Sequence, residues 1–347
     1  MRVVVVGLGA VGSNVARQLL AHDEVDQLSI VHPRPGRVAG AVSALGAPGR
    51  TGTGGPVRVR LLAGDAAGLD RLGPEICDHD VAVLSSAALH RPAAEVALAR
   101  GMHVVSTADD PAEVRALLAL DAGSRRRGLS VVAGAAVAPG LSCVLAAQAA
   151  RRLERVEEVH VASFGTGGPA CARRHHRALS SVGVTWRDGA WRRHAGGSGR
   201  ELVWFPDPVG GADCYCAGLA DPLLLVPAFP GARRVTSRLE ATRRDRMTAW
   251  LPMMRPPHPE GTVGAVRAEV RGWSAGVPTE AILGASVRPA LGAGTVAAHA
   301  ALWAGAGRLC RPGAGGLAEM VTDPGQFLRE LGAAGITTAV FEGGRAS

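Results

Sequence analysis

Gly7, Gly9 and Gly12 carry the G-x-G-x-x-G spacing that lets a backbone close around a pyrophosphate. Gly7 permits the tight turn, Gly9 lets the chain approach the phosphates, and Gly12 lets the next helix pack on the strand before it. Ala10 and Val11 stand between them at the helix start, where N–H groups face an anion. A second group of reactive side chains lies far downstream: Arg173-Arg174-His175-His176-Arg177 follows the glycine loop Gly165 to Gly168. Arginines bind a carboxylate bidentately, and a histidine titrates near neutral pH. Arg173, Arg174 and Arg177 are therefore candidate substrate anchors and His175 and His176 candidate proton carriers; a solvated basic segment is the competing reading. Asp213, Tyr215 (the only tyrosine) and Asp221 before Pro222 form a further cluster. Tyr215 and Asp221 are its acid/base candidates, with Asp221 equally readable as a turn residue.

The elements that hold these residues follow from the hydrophobic pattern. Val3 to Val6 lack polar alternation and read as a strand buried on both faces, and Val11, Val15, Leu19 and Leu20 mark one side of the helix after it. Further strands read at residues 28–31, 57–62, 81–84, 103–105 and 129–132, with helical stretches at 36–45, 68–72, 92–100 and 111–127. That alternation predicts an α/β fold with a doubly wound parallel sheet, the Rossmann arrangement, whose ligands sit at the carboxyl ends of the strands. The loops there nominate Ser85 and Ser86, Ser106 and Thr107, and Pro139-Gly140 as cofactor contacts. Asp109 is nominated for substrate, although Asp109 and Asp110 also precede Pro111 as helix caps do.

The end of the second strand bears on cofactor type. It reads Val31-His32-Pro33-Arg34-Pro35-Gly36-Arg37, without the acid that binds a ribose 2′-hydroxyl. Arg34, with His32 or Arg37, suits a 2′-phosphate, so NADP(H) is expected over NAD(H); a solvated basic loop is the alternative. From Val156 apolar segments at 159–164, 202–205, 234–239 and 264–272 alternate with Gly/Pro-rich loops, predicting a second α+β domain on a mixed or antiparallel sheet. Near Pro278 a helical pattern resumes, with Ile282, Val287, Leu291 and Val296 on one side, followed by helices at 316–320 and 324–331. The domain reading is 1–138 for dinucleotide binding, 139–277 for substrate and dimerisation, and 278–347 for a C-terminal segment.

Composition narrows the classes. The 347 residues suit about two domains, and 47% apolar content suffices for their cores. No leader or run of eighteen apolar residues is present, so a soluble cytoplasmic protein with no membrane partner is expected. The net charge of +8 is spread along the chain with few aromatic residues, which argues against nucleic acid. All 38 basic residues are arginine, which removes Schiff-base and other amine chemistry. Six scattered cysteines indicate neither a disulfide framework nor a metal site; Cys214 and Cys216 read as small core residues. His22, His79, His90 and His103 read as surface or supporting groups.

Gly7-Leu-Gly9-Ala-Val-Gly12, Gly101-Met-His103-Val-Val, Val137-Ala-Pro139-Gly140-Leu-Ser142, Phe164-Gly-Thr-Gly-Gly168-Pro169 and Phe229-Pro230-Gly231 occur in an order and spacing that resemble the saccharopine dehydrogenase-like family, lysine 6-dehydrogenase type, over nearly the whole chain. The resemblance implies a Rossmann domain and a middle domain on a mixed sheet across from the nicotinamide, with the C-terminal segment returning to the first domain. It implies a V-A-P-G-type loop beside the cofactor and NAD(P)-dependent oxidation or formation of a C–N bond through an imine. Family members often carry Asp where Ser106 and His32 stand here. The expected activity is an NAD(P)H-dependent oxidoreductase reducing an imine, or oxidising an amine, derived from an amino acid, in a homodimer. The alternatives are a carbonyl or semialdehyde dehydrogenase and an inactive dinucleotide-binding protein.

Overall fold

A computed structural model describes residues 1–44, 57–253, 258 and 261–341. Two compact units emerge: Met1–Ala108 with Ala112–Ala136 and Ala293–Gly315, and Asp109–Pro111 with Val137–Gly292 and Gly316–Ser347. The first unit begins with β1 (Arg2–Val6), α1 (Ala10–Leu20), β2 (Gln27–His32), α2 (Pro35–Ala44), β3 (Arg58–Ala63), β4 (Val81–Leu84), α3 (His90–Ala99), β5 (His103–Ser106), α4 (Pro111–Leu118), α5 (Asp121–Arg126) and β6 (Ser130–Val132). Its strands run in the order β3-β2-β1-β4-β5-β6, every pair parallel. Val3 to Val6 are almost wholly buried, as a strand covered on both faces must be. The expected helix at 68–72 is a 3₁₀ turn over Leu69–Ile76, and the expected helix at 111–127 is broken into α4 and α5.

The second unit continues with α6 (Leu141–Ala150), β7 (Arg155–Phe164), α7 (Pro169–Ala178), β8 (Gly183–Arg187), β9 (Ala190–His194), β10 (Glu201–Phe205), β11 (Gly210–Tyr215), α8 (Asp221–Ala228), β12 (Arg234–Glu240), α9 (Arg243–Thr248), β13 (Gly264–Ser274) and β14 (Val277–Val287). β7 and β12 are parallel, while β11 with β12, β7 with β13 and β13 with β14 are antiparallel, so the sheet is mixed. Pleating divides it into two characters. Val266, Ala268 and Val270 of β13 are fully buried, and the mostly apolar α6 packs against this strand. Arg267, Glu269 and Arg271 alternate with them, Arg267 pairing with Glu269 at 2.7 Å and Arg271 with Glu280 at 2.9 Å.

The chain ends with α10 (Pro289–Gly305), β15 (Gly313–Gly315), α11 (Leu317–Met320), α12 (Pro324–Ala333) and β16 (Thr337–Phe341). β15 adds a seventh parallel strand beside β6 of the first sheet, and β16 pairs antiparallel with β14 of the second. One expectation fails here. Ile282 and Val287 lie on β14, not on a helix, and the helix starts only at Pro289. Ala281 to Ala285 are buried between β13 and β16, so their pattern lacks the period of two that identifies a half-exposed strand. The informative residues were Ala275 and Gly276, a two-residue hairpin loop with φ of 49° and 74°. Asp188-Gly189 closes the β8–β9 hairpin in the same way. Among the described residues no helix is long and apolar enough to cross a membrane, and no cluster of His, Cys, Asp or Glu could hold a metal.

Candidate active site

The glycine turn in the first unit follows from local geometry. Gly7 has φ of 99°, and a Cβ there would stand 2.8 Å from the Ser86 backbone. At Gly12 a Cβ would stand 2.0 Å from the Gly7 carbonyl oxygen, so the helix reaches the strand only through glycine. Gly9 differs: its φ of −82° suits any residue, and a Cβ there meets nothing within 4 Å. Gly9 caps α1 without a side-chain bond, and no acid occupies the first turn, which includes Ala10 and Val11. The N–H groups of that turn thus face open space with no competing anion. Ser85 Oγ donates to the Gly7 carbonyl at 2.9 Å, whereas Ser86 Oγ is buried with no hydrogen-bond partner among the described residues. An orphaned hydroxyl beside an open, uncapped glycine turn fits a dinucleotide.

The neighbouring loop is held by a relay. His90 Nε2–H donates to the Ser86 carbonyl at 2.9 Å, which leaves Nδ1 to accept from Ser106 Oγ at 2.7 Å. Ser106 Oγ in turn accepts the Ala108 N–H at 3.2 Å. Ser106 is completely buried, so the expected direct cofactor contact gives way to support of the loop carrying Ser86. His90, also buried, is not a surface group. Thr107 Oγ1 donates to the Leu84 carbonyl at 3.2 Å. After β2, His32 Nδ1 accepts the Arg34 N–H at 3.1 Å, and Arg34 is exposed with no ion pair among the described residues. Arg37 lies on α2. Pro139 and Gly140 are buried in the second unit, where Gly140 caps α6.

The second unit gathers titratable groups from four segments. On α7, Cys171 and His175 are one helical turn apart, with Sγ 3.6 Å from Nε2. Burial disfavours the imidazolium, but the Cys171 sulfur and the Asp109 carboxylate outweigh it, and His175 is pushed up to about 9. Asp221 opens α8 as a helical residue, not a turn; burial pushes it up to about 6, against a 2.6 Å bond donated by Ser142 Oγ at the start of α6. Asp109 and His175 both act on its charge. Glu240, at the end of β12, is pushed up to about 7 by burial and by Asp245, with His175 opposing. His175 thus acts on the charge of two carboxyls that burial raises well above their ordinary range.

Other candidates have different employment. All three Arg174 nitrogens are engaged: Nε with Asp109 Oδ1 and Nη2 with the Asp109 carbonyl, each at 3.1 Å, and Nη1 with Asp110. It orients Asp109 and is not an open anchor. Arg173 and Arg177 are exposed, one turn apart on α7. His176 is buried and donates from Nε2 to the Leu251 carbonyl at 3.0 Å, a structural bond that replaces its expected role in proton transfer. Tyr215 is a core residue packed with Leu179, Leu219 and Leu239, with Arg246 stacked 4.3 Å from its ring centroid. Sequence reasoning missed Cys171, Ser142 and Glu240. Pro169 after Gly168 marks a helix start, and that signal would have placed Cys171 one turn before His175.

A parallel sheet in this order, with an uncapped glycine turn after its first strand, defines the dinucleotide-binding fold class. Residues 3–132 match the family model described as the saccharopine dehydrogenase NADP binding domain. That match makes the first part of the chain similar to a nicotinamide-dinucleotide-binding domain. Its fold is similar to apo histidine-tagged saccharopine dehydrogenase (L-Glu forming) from Saccharomyces cerevisiae, at 14% identity over 98% of this chain and 100% of that one, with a TM-score of 0.67. It is also similar to the DAP dehydrogenase of C. glutamicum in complex with DAP, at 15% identity over 96% and 98% of the two chains, with a TM-score of 0.47. A comparison with curated proteins finds no match.

Proposed function

We propose that the protein reduces a C=N bond, or oxidises the corresponding amine, in a substrate derived from an amino acid, with NADP(H) preferred over NAD(H). The single observation that carries this reading is His175 raised to about 9 beside Cys171 and Asp109. A group of that strength stays protonated at neutral pH and suits holding or returning a proton at an amine nitrogen.

When bound, the nicotinamide supplies or accepts the hydride. Gly7, Gly9 and Gly12 shape the turn for the pyrophosphate, the N–H groups of Ala10, Val11 and Gly12 carry the positive end of α1, and Ser86 Oγ supplies a polar contact. Arg34 pairs with a 2′-phosphate, for which the loop after β2 has no competing acid. Gly140 and Pro139 belong to the same reading through the V-A-P-G resemblance. In the second unit His175 donates or holds the proton at the reacting nitrogen. Arg174 fixes Asp109, whose charge stabilises the imidazolium; Asp221, fixed by Ser142, tunes the field around it. Exposed Arg173 and Arg177 hold the substrate carboxylate.

The test is NADPH oxidation against a panel of amine and carbonyl pairs. Turnover that requires both partners supports imine reduction. Turnover with carbonyl compounds alone puts the enzyme in the C–O class, and tight cofactor binding without turnover across the panel makes it a sensor.

A further inference from the structure

A cationic basin lies at the β8–β9 end of the second sheet. Arg187, Arg192, Arg193, Arg234 and Arg238 line a cavity of about 450 Å³, and no carboxylate lines it. The pleat accounts for most of this concentration. Arg187 pairs with Arg234 across β8 and β12, and Thr185 with Arg192 across β8 and β9. Alternation then brings Arg187, Arg192, Arg234 and Arg238 to one face. Outside the lining, Asp188 lies 3.7 Å from Arg187, and Glu201 lies 2.7 Å from Arg238. Arg192, Arg193 and Arg234 make no ion pair among the described residues, although Glu158, the register partner of Arg234 on β7, feels its charge. Like charges gathered this closely are unfavourable unless an anion joins them.

The cavity shares no lining residue with the titratable cluster. Arg234 opens β12 and Glu240 closes it, so the far end of the basin lies roughly 20 Å along the strand from Glu240, while Arg238 at its near end is two residues away; neither Glu240 nor His175 lines the cavity. Its volume falls in the range of small-molecule sites, and planar guanidinium forks match oxyanions bidentately.

We propose that this basin binds a small molecule carrying two or more neighbouring oxyanions, phosphates or carboxylates, at a site other than the one that handles the substrate. Calorimetric titration of the full-length protein with pyrophosphate and, separately, citrate tests the idea and tells the two anions apart. The expected result is saturable binding of at least one, weakened about 10-fold for each arginine removed in Arg192→Gln and Arg234→Gln. NADPH affinity and the circular dichroism spectrum should stay unchanged in both variants. The Gly9→Val protein should keep its affinity for the same probe, because its lesion lies in the phosphate turn. Absence of saturable binding, loss through Gly9→Val but not through the arginine variants, or tighter binding of a single-stranded oligonucleotide than of either small anion would each overturn the proposal.

Discussion

The two units place their chemistry on different parts of the chain. In the first, the cradle is backbone: a glycine turn, uncapped N–H groups and one orphaned hydroxyl. In the second, it is side chains drawn from positions 109, 142, 171 to 175, 221 and 240. A backbone site is written in consecutive residues because its geometry depends on where glycine is permitted. A side-chain cluster depends on packing, which sets both who meets and who stays protonated. Two histidines next to each other make the point: His175 titrates against Cys171 and Asp109, and His176 is spent on a carbonyl.

Substitutions test this contrast, most strongly at His175. His175→Asn should lower turnover by roughly 10²–10⁴-fold with NADPH affinity unchanged. In the parent enzyme, imine reduction should hold through neutral pH and fall as pH passes about 9, while amine oxidation rises over the same range. A variant that keeps that pH dependence would return His175 to a structural role.

Gly9→Val comes next. A Cβ there meets nothing within 4 Å, so the loss should fall on the cofactor, with a dissociation constant up about 100-fold or more from lost charge-assisted contacts. Gly12→Val meets the Gly7 carbonyl and should instead disturb folding, as thermal melts would show. Equal cofactor affinity in a folded Gly9→Val protein would remove the backbone cradle.

Asp221 probes the second unit through pH. Its folded carboxyl binds a proton up to about 6 against an ordinary value of 3.8, so the folded state holds the extra proton between these values. Stability should therefore fall as pH rises from about 4 to about 6, by roughly 1–3 kcal/mol, and stay level above. Urea midpoints across that window should lose the slope in Asp221→Asn.

Arg34→Ala should weaken NADPH by about 1.5–3 kcal/mol, with NADH little affected. Titrations that show the same loss for both cofactors would make Arg34 a bystander. His176→Asn should have the smallest effect: kinetics near those of the parent, and stability down about 1 kcal/mol from the lost bond to Leu251. A collapse of turnover there would restore His176 to proton transfer.

The sequence by itself determined the parallel sheet, the dinucleotide turn and the mixed second sheet. The first-sheet strands are unbroken Val/Ile/Leu runs, and the turn needs glycine at fixed spacing. It missed β14, where burial on both sides erased the alternation and Ala275-Gly276 was the only local trace of a hairpin. Tertiary structure alone decided the roles in the second unit. Burial raised Asp221 and Glu240. Packing sent Tyr215 to the core, engaged Arg174 with Asp109 and Asp110, and turned Ser106 toward His90. None of these outcomes can be read from residue type, because a titratable group's function depends on its solvation and its neighbours, and folding supplies both.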